Sequence, residues 1–136
     1  MDRETRRSYI AIRFTKARDD LITARDDTQR GHWRGAANRA YYAVFHVASA
    51  ALLWLDIERA RHSGTQAAFN EFLVKPGKIE TEFGKIYSRA RKMREAQNYD
   101  LLAAPLTQED AEQIVADAER FLTRLERYLR EAGAMQ

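Results

Sequence analysis

WRGAANRAYYAVFHVASAALLWL, residues 33–55, decides the fold. Small and apolar residues occupy most of its helical circumference, the pattern of a helix surrounded by others at the centre of a bundle. Yet the stretch also holds Asn38, Arg39, Tyr42, His46 and Ser49. An unpaired polar group inside such a helix costs about 1–3 kcal/mol. These side chains therefore meet partners on neighbouring helices or line a site. Asn38, Tyr42, His46 and Ser49 are spaced by four, four and three residues and share one face, with Arg39 beside them.

Working outward, the preceding segment from about Arg3 to Thr28 repeats Ile10, Phe14, Ala17, Leu21 and Ala24 at helical spacing, and RGHWRG ends it. After the central helix, DIERARHSG reads as a polar loop that carries His62, either a site contributor or, alongside Ser63, a cap for the next helix. A short helix is expected over Thr65–Val74, where KPGK stops it. A fourth helix, about Glu80 to Gln97, rests on Phe83, Ile86, Ala90 and Met93. Thr107 opens the last one as its cap, with Asp110 and the neighbouring acids favouring the positive helix end. No segment alternates with period two, so no sheet is expected. The pattern predicts one all-α domain over residues 1–136: an antiparallel up-and-down four-helix bundle with one short extra helix.

Composition narrows the function classes. The 136 residues include six Gly, two Pro and no Cys, which excludes disulfides and thiolate metal sites. No apolar run has the length of a signal peptide core or a membrane span, so a cytoplasmic protein is expected and no membrane partner. Net charge is +3. Residues 1–39 hold ten Arg/Lys against six Asp/Glu, residues 75–95 seven against three, and residues from Thr107 onward four against seven. Such asymmetry suits an anionic partner, although salt-bridged helix faces explain it as well. Phosphate loops, nucleophile elbows and H-E-x-x-H motifs are absent, and His32, His46 and His62 lack ligand spacing. Neither a metal nor a cofactor is expected.

A second polar stripe runs along the fourth helix: Tyr87, Arg91, Arg94 and Asn98, spaced by four, three and four, followed by Tyr99 and Asp100. Arginine presents a planar fork that matches phosphate, so this face reads as an anion-binding surface. A solvated basic face, or pairing with the acids of the last helix, is the plainer reading.

AANRAYYAVFHVASAALLW, RHSGTQAAFNEFLVKPGKI, RARKMREAQNYD and EDAEQIVADAERFL occur in that order. Together they resemble HEPN-domain proteins, the higher-eukaryote and prokaryote nucleotide-binding superfamily, over nearly the whole chain. The resemblance implies a helical bundle that pairs as a homodimer, often encoded beside a minimal nucleotidyltransferase as a toxin–antitoxin pair. It also implies, in active members, a metal-independent endoribonuclease with Arg, four to six residues, then His.

Matching that motif places Arg94 at the Arg position, while Tyr99 stands where His is expected. A neutral Tyr, with a reference pKa of about 10, is a poor base near pH 7. Arg25 with His32 and Arg39 with His46 repeat a similar spacing elsewhere. The candidate site is therefore Arg94, Tyr99 and His46 for chemistry, with Arg91, Arg94, Asn98, Tyr42, Asn38 and Arg39 binding nucleotide or RNA and His62 as a loop contributor. In this expectation Asn38, Tyr42 and His46 face the fourth helix and support Arg91, Arg94 and Tyr99. Binding of nucleotide or RNA is favoured over cleavage because Tyr99 replaces His, and a purely structural dimeric partner is the third reading. The resemblance also makes Tyr99 a candidate for adenylylation by a partner nucleotidyltransferase.

Overall fold

A computed structural model describes all residues from Met1 to Gln136. It contains α1 (Arg3–Gln29), α2 (Trp33–Trp54), α3 (His62–Phe69), α4 (Thr81–Tyr99) and α5 (Gln108–Glu131), with a π-helical turn at Asn70–Val74 prolonging α3. There is no strand. Cross-helix pairs set the directions: Asp20 with Arg39, Tyr42 with Arg94, Glu82 with Arg120 and Arg25 with Glu119. The four long helices thus run up, down, up and down, as expected.

α2 is the hub, packed against α1, α3, α4 and α5. Its buried surface is rich in alanine, including Ala36, Ala37, Ala40, Ala43, Ala48, Ala50 and Ala51. Small side chains let neighbouring backbones come close. Bulk arrives from the partners: Ile10, Phe14 and Leu21 of α1, and Phe121, Leu125 and Leu129 of α5, all buried. Thr107 caps α5 as expected, and the Asp110 side chain closes the cap by accepting from the Thr107 backbone N–H, a bond beyond the expectation from charge alone. Gly77, at φ 83°, takes the left-handed turn after Lys75 that KPGK demands.

Three local expectations are corrected. The short helix starts at His62, three residues earlier than Thr65, so His62 belongs to a helical first turn rather than a loop. Neither His62 nor Ser63 caps it, because the cap residue is Arg61 and it makes no side-chain cap bond. Tyr87 leaves the polar stripe altogether and is fully buried, packed on Phe69 and Phe121.

The acidic α5 spends its charge internally. Glu126 pairs with Arg18, Glu119 with Arg25 and Asp117 with Arg89 and Arg120. Three of the seven acids from Thr107 onward are thus paired with arginines of α1, α4 or α5 itself. The pairs of Glu119 and Glu126 lie at the surface and contribute little each, about 0–1 kcal/mol, whereas Asp117 is buried.

Candidate functional site

The half-buried face of α2 meets α4 and the first turn of α3. Arg94 of α4 donates from Nη2 to the Tyr42 hydroxyl at 3.1 Å. Its guanidinium carbon lies 5.0 Å from the Tyr41 ring centre, 5.2 Å from Tyr42 and 6.0 Å from Tyr99. Arg94 forms no ion pair, and its buried Nε–H has no protein acceptor. Three tyrosine faces stabilise the cation without neutralising it. Tyr99 is the open wall of this cradle, 71% exposed.

One turn earlier, Arg91 donates from Nη1 to Gln66 of α3 at 2.9 Å and from Nε to Glu95 at 2.9 Å. One turn later, Asn98 donates to Asn38 Oδ1 at 2.7 Å and accepts from Arg34 Nε at 3.1 Å. The Asn pair ties the end of α4 to the start of α2, and α3 orients Arg91. Arg94 between them is held by side chains from a second helix while its charge stays unspent.

His62 completes the group. Its ring stacks on Phe45 at 4.1 Å, and Nδ1 lies 2.8 Å from the Tyr41 hydroxyl. Burial lowers the His62 pKa, and the Arg94 and Arg91 charges lower it further, so the imidazole is neutral at pH 7. Burial pushes the Tyr41 phenol up to about 12, keeping its proton. One hydrogen serves the Tyr41–His62 contact. Where Nδ1–H donates, Nε2 is a bare base; where Tyr41 donates, Nε2 carries the proton.

Sequence-based expectations divide on this geometry. Asn38 and Tyr42 reach α4 and touch Asn98 and Arg94. His46 and Arg39 do not: both turn toward α1, where Arg39 bonds Asp20 at 3.2 Å and His46 Nε2 lies 3.8 Å from the same carboxylate. Arg91 is supported from α3 rather than from α2. Tyr41, Phe45, Gln66 and Arg34 went unnoticed in the sequence. Placing the α3 start at His62 would have revealed Gln66, four residues on and on the same face. Nowhere do three His, Asp or Glu side chains converge as a metal site requires, and no helix is long and apolar enough to cross a membrane.

The family comparison agrees with this arrangement of helices. The HEPN domain matches residues 10–128, so the chain belongs to the HEPN domain family. It is 35% identical over 114 residues to a UPF0332 protein of Thermotoga maritima, covering 84% of this chain and 86% of that one. It is 33% identical over 125 residues to a Methanocaldococcus jannaschii protein named "Putative toxin MJ0605", covering 92% of each.

Proposed function

We propose that this HEPN chain is a toxin-type protein that holds a phosphate of RNA or of a nucleotide at Arg94, working as a homodimer with a nucleotidyltransferase partner. One observation carries the reading: Arg94 is a half-buried guanidinium with tyrosines around it and no carboxylate to neutralise it. A charge so placed gains most when an anion supplies the missing counter-ion. Arg91 and Arg34 flank it, Tyr99 offers an exposed ring for a base to stack on, and Leu101 and Leu102 stand almost fully exposed beside it. Apolar surface of that kind suits pairing with a second copy. The toxin element of the reading leans on the name of the Methanocaldococcus relative.

Titration of adenosine monophosphate and a short oligoribonucleotide into the protein, beside Arg94→Ala, tests it. Binding that Arg94→Ala weakens at least tenfold supports the reading. Binding that Arg94→Ala leaves intact defeats it.

His62 favours a second reading, cleavage. A bare Nε2 takes the proton of a ribose 2′-hydroxyl, whose oxygen attacks the adjacent phosphorus while Arg94 stabilises the developing charge. The 5′-oxygen leaves and takes a proton, yielding a 2′,3′-cyclic phosphate and a 5′-hydroxyl. RNA incubated with the protein in EDTA decides between the two readings. Fragments with cyclic ends, lost in His62→Gln, establish cleavage, whereas intact RNA leaves binding alone.

A further inference from the structure

Across α2 from Arg94 lies another group of cations that the phosphate cradle does not use. Arg39, half exposed, reaches Asp20 of α1 at 3.2 Å. His46, two turns further along α2, places Nε2 3.8 Å from the other Asp20 oxygen, and its buried Nδ1 has no protein partner. Arg13 and Lys16 precede Asp20 by seven and four residues and share its face of α1; their charges bear on the same imidazole, and neither forms an ion pair. Arg13 also borders a cavity of about 80 Å³ that Phe45, Ser49 and Glu58 help to line. The group therefore sets three cations, Arg13, Lys16 and Arg39, against Asp20, with Glu58 sharing the cavity beside Arg13.

Tyr42 stands between the two groups. Its ring centre is 5.2 Å from the Arg94 guanidinium and 6.4 Å from the His46 ring. Cationic walls on α1 and α4 thus flank a half-buried floor of Tyr42, Phe45 and His46. Aromatic faces between cationic walls are what a flexible strand needs, since bases stack on rings while phosphates meet charge on either side. A lone phosphate gains nothing from the far wall. A strand gains from both.

We propose that Arg13, Lys16 and Arg39 form a second anion subsite, and that the ligand held at Arg94 is a strand carrying phosphates on both sides of Tyr42. This rests on the phosphate reading of Arg94. Asp20 tempers the subsite by neutralising Arg39, so the α1 wall adds affinity to a bound strand without attracting every anion.

The test titrates adenosine monophosphate and a dinucleotide, tetranucleotide and octanucleotide of RNA into the parent, Lys16→Ala, Arg39→Ala and Asp20→Asn proteins. Parent affinity is expected to climb with length. Lys16→Ala and Arg39→Ala should each lose roughly five- to tenfold more on the octanucleotide than on the monophosphate, with a salt dependence shallower by about one ion. Asp20→Asn, which frees Arg39, should bind the octanucleotide more tightly, an outcome that mere loss of structure does not give. Melting curves confirm that each variant folds. Affinity independent of length, equal losses on short and long ligands, or an Asp20→Asn protein that loses affinity as Arg39→Ala does would overturn the subsite. If the monophosphate binds through Arg94 and length adds nothing, the subsite fails alone. If no ligand binds the folded parent, the phosphate reading fails with it.

Discussion

Arg94 and Tyr42, fifty-two residues apart in sequence, meet at 3.1 Å, guanidinium nitrogen to phenol oxygen, across the α2–α4 seam. The contact positions a cation without consuming its charge. A carboxylate in the same place would hold Arg94 equally well and close the site to anions.

Removing only the acceptor isolates that relationship. Tyr42→Phe keeps the ring beneath the guanidinium and deletes its hydrogen-bonding oxygen. Hydrogen bonds to charged groups are worth about 1.5–3 kcal/mol, and part of that orients Arg94 for its ligand. Oligoribonucleotide affinity should fall roughly tenfold by calorimetry, with the melting temperature lowered by only a few degrees so that the variant stays folded at the titration temperature. Unchanged affinity would mean that Tyr42 does not position the arginine.

The Asn38–Asn98 bond does a different job. It is half-buried and joins two helix ends. Asn38→Ala leaves the Asn98 amide short of an acceptor and should cost about 1–2 kcal/mol in denaturant unfolding. Its effect on ligand affinity should be smaller than that of Tyr42→Phe, because Arg94 keeps its own partner.

Tyr87 predicts the opposite sign. Its hydroxyl is buried with no protein partner, and burial raises its pKa far above the usual phenol range. Tyr87→Phe removes an unsatisfied group while keeping the ring packed on Phe69 and Phe121. Stability should rise by about 1 kcal/mol; a loss of similar size would show that the hydroxyl is satisfied in solution.

His62 supplies the pH dependence. Its pKa in the folded protein lies below that of the unfolded chain, near 6.5. The unfolded state therefore takes the proton first as pH falls. The His62 contribution to stability is whole above about pH 6.5 and declines below it until the folded pKa is passed. A bound phosphate reverses the electrostatics by favouring the imidazolium, so ligand affinity should rise between pH 7.5 and pH 5.5. His62→Gln should make both profiles shallower, leaving in the stability profile the part due to His46, whose pKa burial also lowers; titrations and melting curves across that range would check this.

The bundle was legible because its evidence is periodic. Ile10 to Ala24 in α1 and Ala111 to Leu129 in α5 repeat at helical spacing, and the Thr107 cap has a local signature. Asn38, Tyr42, Arg94 and Asn98 were legible too, as polar residues recurring on apolar helices. What stayed hidden depends on rotation between helices. One position separates Tyr41 from Tyr42, and one turn separates Tyr42 from His46, but spacing along α2 does not say which neighbour each side chain meets. Arg39 and His46 are drawn to Asp20, a residue of α1 that no motif marks. Tyr87 shares the periodicity of Arg91 and Arg94 yet points into the core. His62 reads as a loop residue because DIERARHSG is mostly polar, although its last three residues already form the first turn of α3.

The central claim is that the Arg94 guanidinium meets the ligand phosphate. Its most direct test is the ¹³Cζ spectrum of arginine-labelled protein, with the Arg94 resonance identified by its absence in Arg94→Lys, followed during titration with an oligoribonucleotide. The account predicts that this resonance moves and saturates together with binding, while that of Arg124, paired with Glu80, stays in place. A ligand that binds to saturation and leaves the Arg94 resonance unmoved would contradict it.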